Sequence, residues 1–306
     1  MGYIHRRRFL VAVGTLPAAR LAASLSFYAA GSVAATPGVN IERGNGTFTF
    51  IDEKGDPSKR MTVYTYLPRP SEANTAQILF VLHGHHKTAQ HYRDNWAYHA
   101  DKYGFMVVAP LFDAKQWSDR EYAYPRAVRE KHGDPSGWSY SVIEHLFDAI
   151  KAATGNKSSS YMLYGFSEGG QFVHRLALLL PEARYSRAVV GSPGWYTMPT
   201  FDATFPYGLA KTPATEASLK KSLERDVVLL LGGGDTDPKD SEIRKTREAL
   251  AQGANRVARG QNFYKEAENR AAELKAKFAW RLQIVPGAGH EPAKVSPVAA
   301  AVLTAA

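Results

Sequence analysis

Residues 161–180 read YMLYGFSEGGQFVHRLALLL. An apolar run passes through Gly165-Phe166-Ser167-Glu168-Gly169-Gly170 into a pattern of helical period. Glycines two residues either side of a serine leave steric room for a sharp strand-to-helix turn, which lifts the hydroxyl above the strand ends. A helix N-cap would also account for Ser167, but not for the small residues on both sides of it. The stretch therefore predicts a strand, a nucleophile elbow and a helix, and an α/β fold if strands and helices alternate around it.

They do. Upstream, GTFTFID and RMTVYTYLP alternate apolar with polar residues across the turn-forming EKGDPSK, which predicts a hairpin. QILFVLHG, FMVVAP, SYMLYG, RAVVGSPG, DVVLLLGGGD and WRLQIVPGAGH follow as runs apolar on both faces, the mark of buried parallel strands. Helical patterns stand between them at HYRDNWAYHADKYG, SYSVIEHLFDAIKAATG and GGQFVHRLALLLPEA, and a C-terminal helix at SPVAAAVLTAA. Right-handed crossovers then give a mostly parallel central sheet with helices on both faces, in one domain over residues 36–306.

Two segments break the rhythm. Residues 195–221 carry aromatics, prolines and glycine without a clear period, and are expected as a lid-like insertion over one end of the sheet. Between Ser241 and Phe278, apolar residues recur every seventh position from Ile243 to Phe278, a spacing open to a coiled coil. Gly253 and Gly260 favour instead a pair of surface helices packed on the sheet.

The chain has 306 residues and a formal charge of +9; Arg6, Arg7, Arg8 and Arg20 supply four of those charges within the first 35 residues, where no acid stands, leaving +5 for the rest. The remaining Lys and Arg are interspersed with acids rather than clustered beside stacking aromatics, which argues against nucleic-acid binding. Residues 1–35 combine the arginine cluster with an apolar stretch and small residues near Ser32-Val33-Ala34-Ala35, and Arg6-Arg7-Arg8-Phe9-Leu10 resembles a twin-arginine export signal. Periplasmic or secreted localisation is expected. No later run approaches the roughly 18 apolar residues of a membrane span, so no stable membrane anchor is expected. Cysteine is absent, which removes disulfides, thiolate metal sites and a cysteine nucleophile.

A serine hydroxyl needs a base to take its proton. Of ten histidines, His290 follows a strand in the glycine-rich VPGAGHEP, late in the chain, where a loop can bend back over Ser167. His174 lies two helical turns beyond the serine and reads as packed or surface, and His99, His132 and His145 lack a loop context of this kind. The imidazole needs an acid. A buried strand ends in glycines and delivers Asp235 and Asp237; Asp235 is nearer the strand end, while Asp237-Pro238 reads as a turn. The oxyanion requires amide donors. The amide of Glu168 and that of His85, in the turn after QILFVLHG, are the expected pair. His83, His85, His86 and His91 do not follow a tetrahedral metal pattern, and no metal or other cofactor is expected.

The elbow, the HGHH turn, GGGDTD and GAGH, in that order, resemble the α/β-hydrolase superfamily over roughly residues 45–305. FVLHGHHKTAQHYRDNWAYHADKYGFMVVAP and GFSEGGQFVHRLALLLPEARYSRAVVGSPGWY are similar to polyhydroxybutyrate depolymerase-like secreted esterases. The resemblance implies an α/β-hydrolase fold and a cofactor-free serine hydrolase that cleaves small or oligomeric esters through an acyl-enzyme, with Ser167, Asp235 and His290 as its triad. A peptidase, an acyltransferase or a ligand-binding protein without activity are the alternatives on the same fold. Trp195, Tyr196, Phe201, Phe205 and Tyr207 are expected either to line an apolar pocket or to be lid packing; Trp138 and Tyr140 read as core.

Overall fold

The computed structural model describes residues 38–118, 121–122 and 135–305, so the expected leader and His132 lie outside the described residues. The expected hairpin is β1 (Gly44–Ile51) and β2 (Arg60–Leu67), antiparallel from Gly44 opposite Leu67 to Ile51 opposite Arg60. In β1 Phe48 and Phe50 are buried and Thr47 and Thr49, alternating with them, are exposed, the period-2 pattern of a half-covered strand. β3 (Ile78–Leu82), β4 (Met106–Leu111), β5 (Tyr161–Phe166), β6 (Tyr185–Gly191), β7 (Val227–Gly232) and β8 (Arg281–Val285) complete an eight-stranded sheet in the order β1-β2-β4-β3-β5-β6-β7-β8. From β4 to β8 every pairing is parallel.

The α-helices that lie wholly among the described residues are α1 (Ala89–Tyr103), α2 (Ser141–Thr154), α3 (Glu168–Leu179), α4 (Glu216–Leu223), α5 (Arg247–Ala251), α6 (Arg256–Glu273) and α7 (Pro292–Thr304). Alternate residues of each buried strand feed two separate cores. Ile78, Phe80 and Leu82 pack with Leu146, Phe172, Leu219 and Phe263 from α2, α3, α4 and α6. Leu79 and Val81 pack with Trp96, Val295 and Leu303 from α1 and α7. Trp138 and Tyr140 are core, as expected.

The structure corrects one detail and fills in two others. β8 is not apolar on both faces: Arg281 and Gln283 are exposed, because β8 is the last strand of the sheet, and Arg281 Nη2 reaches Asp226 at 2.6 Å. The 195–221 segment is less irregular than its sequence suggests. It ends in the start of α4, whose N-cap Thr215 exchanges hydrogen bonds with Ser218, a reciprocal cap closed by serine rather than the usual Glu or Gln. The stretch from Ser241 to Phe278 holds the pair of helices favoured over a coiled coil, α5 and α6, with α6 packed on the sheet. Leu250 is 51% exposed, and the face α6 buries is Arg256, Arg259, Gly260, Phe263, Ala267 and Ala271, at helical period against β7.

The chain runs from β3 outward to β4 and then returns to place β5 on the other side of β3. Strand order therefore reverses at β3, and the carboxyl ends of β3 and β5 frame a crevice where open α/β sheets bind ligands.

Candidate active site

Ser167 stands at that crevice, between the end of β5 and the first turn of α3. Its backbone sits at φ 58° and ψ −115°, a conformation that L side chains rarely adopt. Two bonds hold it there: the Ser167 N–H donates to Gly191 O at 2.8 Å, and its carbonyl accepts from Gln171 N–H at 3.0 Å. The flanking glycines are required by contact. A Cβ on Gly165 would run into the Gly169 carbonyl, and one on Gly169 into the Leu82 carbonyl of β3. Although Ser167 occupies the N-cap position, its side chain makes no capping bond.

The hydroxyl is turned to His290 instead. Ser167 Oγ lies 2.9 Å from His290 Nε2, and His290 Nδ1 lies 2.6 Å from Asp235 Oδ2. An ionised carboxylate only accepts, so Nδ1 carries the proton and Nε2 is left to accept from the serine. The imidazole also packs on the Phe166 ring, with centroids 4.8 Å apart. The loops bearing acid and imidazole are laced together, with Gly233 N–H donating to Val285 O at 2.9 Å and Gly234 N–H to Ala288 O at 2.7 Å. Asp237 is not part of this chain of bonds. It is exposed and accepts from the Lys239 N–H at 2.8 Å, as its turn context suggests.

The turn after β3 packs onto the elbow: a Cβ on Gly84 would stand 3.7 Å from the Cβ of Ser167. His85 and Glu168 line the same cavity of about 550 Å³ as Ser167. The four histidines weighed as metal ligands do not converge. His83 is fully buried and engaged at both ring nitrogens, with Phe112 N–H at 3.1 Å and Gly84 O at 2.9 Å, and His91 faces a separate cavity beside Tyr64. Burial lowers the His83 pKa to about 4, so the ring is neutral. His174 is packed, as expected: it is buried, its Nε2 accepts from Thr197 N–H at 3.0 Å, and burial holds its pKa well below the usual value. His145 pairs with Asp52 at 2.8 Å, away from the elbow.

The aromatics expected either to line a pocket or to pack divide between the two. Of these, only Trp195 lines the cavity. Tyr196 is core, stacked 4.4 Å from Phe263, and Phe201 and Phe205 pack against the same core. Tyr207 supports Trp195 from behind at 4.8 Å and hydrogen-bonds Thr246 and Arg244. The remaining wall is polar: His86, Gln171, Ser241, Glu242, Arg244 and Arg256. Sequence reading missed these residues because they come from loops and helix starts brought in by the fold. Arg256 alone had a local signal, a cation at the first position of a helix, where the macrodipole favours anions.

No curated protein matches the chain at a significant level. The esterase family, described as "Putative esterase", matches residues 56–288. Among solved structures, poly(aspartic acid) hydrolase-1 from Sphingomonas sp. KT-1 is 39% identical with a TM-score of 0.82, over 86% of this chain and 99% of that one. The poly(3-hydroxybutyrate) depolymerase LpqC from Bordetella parapertussis is 31% identical with a TM-score of 0.81, over 85% of this chain and 89% of that one. An S-formylglutathione hydrolase from Agrobacterium tumefaciens, 18% identical over 87% of this chain and 98% of that one with a TM-score of 0.55, shares the fold alone.

Proposed function

The chain belongs to the esterase family and is an α/β-hydrolase-fold carboxylic ester hydrolase of the serine type; on that premise we propose that Ser167, His290 and Asp235 carry the reaction through an acyl-enzyme, and that the protein works in the periplasm or outside the cell. The observation that supports the triad most is the unbroken run of hydrogen bonds from Ser167 Oγ through His290 to Asp235, at 2.9 and 2.6 Å.

In this mechanism Ser167 Oγ attacks the ester carbonyl as its proton passes to His290 Nε2, and Asp235 stabilises the imidazolium. The backbone N–H groups of Glu168 and His85 hold the oxyanion. Collapse of the tetrahedral adduct breaks the ester C–O bond, and His290 returns the proton to the departing alkoxide. Water, deprotonated by the same histidine, then cleaves the acyl-enzyme to acid and free serine. No cofactor enters the scheme. Export rests on Arg6-Arg7 and the apolar stretch behind it.

A second reading, hydrolysis of an amide polymer bearing carboxylates, is favoured by Arg244 in the cavity with Ser167, together with the 39% identity to a poly(aspartic acid) hydrolase.

The deciding assay measures nitrophenol release from acetyl, butyryl and octanoyl esters in periplasmic and cytoplasmic fractions, with poly(3-hydroxybutyrate) and poly(aspartic acid) as parallel substrates. Ser167→Ala should lower ester turnover at least about a thousandfold. Replacing Arg6 and Arg7 by lysine should retain activity in the cytoplasm. Undiminished turnover by Ser167→Ala would exclude the nucleophile, and wild-type activity confined to the cytoplasm would exclude export.

A further inference from the structure

Asp235 is 7% exposed and has two carboxylate oxygens to satisfy. Oδ2 faces His290, and Oδ1 accepts from Arg256 Nη1 at 3.1 Å. The same Nη1 donates to Asp240 Oδ2, so one guanidinium nitrogen bridges the acid beside the imidazole and a second, partly exposed carboxylate. That contact holds the Asp240 pKa below the usual carboxylate range.

Three features make this arrangement costly for the fold. Arg256 is the first residue of α6, after the N-cap Asn255, where a cation opposes the helix dipole and no acid in the first turn offsets it. Its side chain is 3% exposed, so a charge has been taken out of water. Its Nε is buried with no hydrogen-bond partner among the described residues. One turn on, Arg259 is buried as well and donates to Gly194 O at 2.6 Å and Arg244 O at 2.9 Å, both on residues of the cavity wall. A helix start that breaks local rules and directs its cations at a reactive site is retained for what the site does.

We propose that Arg256 is a positioning residue of the hydrolytic site: it grips the Asp235 oxygen that His290 leaves free, anchors that carboxylate to Asp240, and sets the charge the imidazole meets. The inference rests on reading Ser167, His290 and Asp235 as the triad. Asp235 cannot rotate about its χ2 without losing one of its two partners, which keeps Oδ2 aimed at Nδ1. His290 bonds Asp235 and interacts electrostatically with Asp240, Arg256 bonds both acids, Glu291, next to His290 in the chain, pairs with Lys294, and His85 and Glu168 line the cavity with Ser167. Arg256 is the cation bonded to the triad acid, and it opposes the imidazolium that Asp235 and Asp240 favour.

Signs follow for two substitutions. Arg256→Met removes the cation bonded to the acid beside the imidazole, and the acidic limb of the kcat/KM profile moves up. Asp240→Asn removes a carboxylate and leaves the guanidinium to Asp235 alone, so the limb moves down. The experiment records kcat/KM for a nitrophenyl acetate substrate from pH 4 to 9 for wild type, Arg256→Met, Arg256→Lys, Asp240→Asn and Ser167→Ala, with circular dichroism on each. Shifts of about half a pH unit or more in opposite directions are expected, with kcat of Arg256→Met reduced roughly tenfold or more and the limb position restored by Arg256→Lys. A role confined to folding would lower activity at every pH and leave the limbs in place; coincident limbs in Arg256→Met and Asp240→Asn would overturn the proposal. If Arg256→Met does not fold, Asp240→Asn decides alone, since Asp240 is partly exposed. Turnover persisting in Ser167→Ala would remove the triad and this inference together, whereas a dead Ser167→Ala beside unmoved limbs would remove only the role of Arg256.

Discussion

Asp235 and Asp237 leave the same strand two residues apart and have opposite surroundings. Asp235 is buried between an imidazole and a guanidinium, while Asp237 is exposed and caps a turn. An amide at position 235 presents a donor to His290 Nδ1 and drives the ring to the tautomer that cannot accept from serine. Asp235→Asn should therefore lower kcat by about 10⁴-fold, on the scale of the same change in another triad enzyme. Asp237→Asn should stay within about twofold, the behaviour of a surface change away from special contacts. Steady-state kinetics on the pair checks both, and equal losses would place the acid elsewhere. Asp235 was legible as the favoured acid because a buried strand ending in glycines sets its height; Arg256 beside it was not, since 21 residues separate them and no local pattern joins a loop acid to a helix start.

The elbow works as a unit made by three elements, β3, β5 and α3. Gly169 is where α3 touches β3: a Cβ there meets the Leu82 and His83 carbonyls, backbone that cannot swing aside. Gly194, on the cavity wall, meets only Gln171 Nε2 at 3.6 Å, ordinary contact. Gly169→Ala should cost about 3 kcal/mol or more and lower Tm by roughly 5 °C or more. Gly194→Ala should keep its Tm within about 2 °C. Calorimetry on the two variants tests the contact, and equal Tm values would contradict it. Most elements were readable from period and end signals. The exceptions share a cause. The exposure of β8 depends on its place at the sheet edge, and the buried face of α6 on what lies beneath it, and neither is a property of the segment itself.

At the scale of the whole molecule, His83 follows β3 beneath the turn that carries His85, its ring against Phe112 and Tyr122 of the larger core. Its ring is neutral because burial opposes the charge, its carbonyl accepts from Tyr122 Oη at 2.6 Å, and its Nε2 accepts from Phe112 N–H. In the unfolded chain the group titrates near pH 6.5; in the fold it does so at about 4. Between those values the unfolded state binds a proton that the native state does not, so stability rises with pH across this window. It is fully present above about pH 6.5 and is lost as pH falls toward 4, an effect of about 3 kcal/mol. The buried His174 acts in the same direction. Tm should fall steadily from pH 7 to 4.5, and His83→Gln, though less stable at pH 7, should show a shallower fall. Parallel slopes for the two proteins would refute the assignment.

The amino-acid sequence by itself determined the alternation of strands and helices, the glycine-flanked turn at Ser167 and the chain order of the serine, aspartate and histidine that the fold brings into contact, because periodicity, glycine spacing and strand-end position are local properties. The tertiary structure alone decided what surrounds them. It sent Tyr196 to the core and Phe205 against it, left Trp195 on a cavity wall otherwise polar, and joined Asp235 to Arg256, since the neighbours of a side chain at a crevice are set by which loops the sheet order brings to one edge.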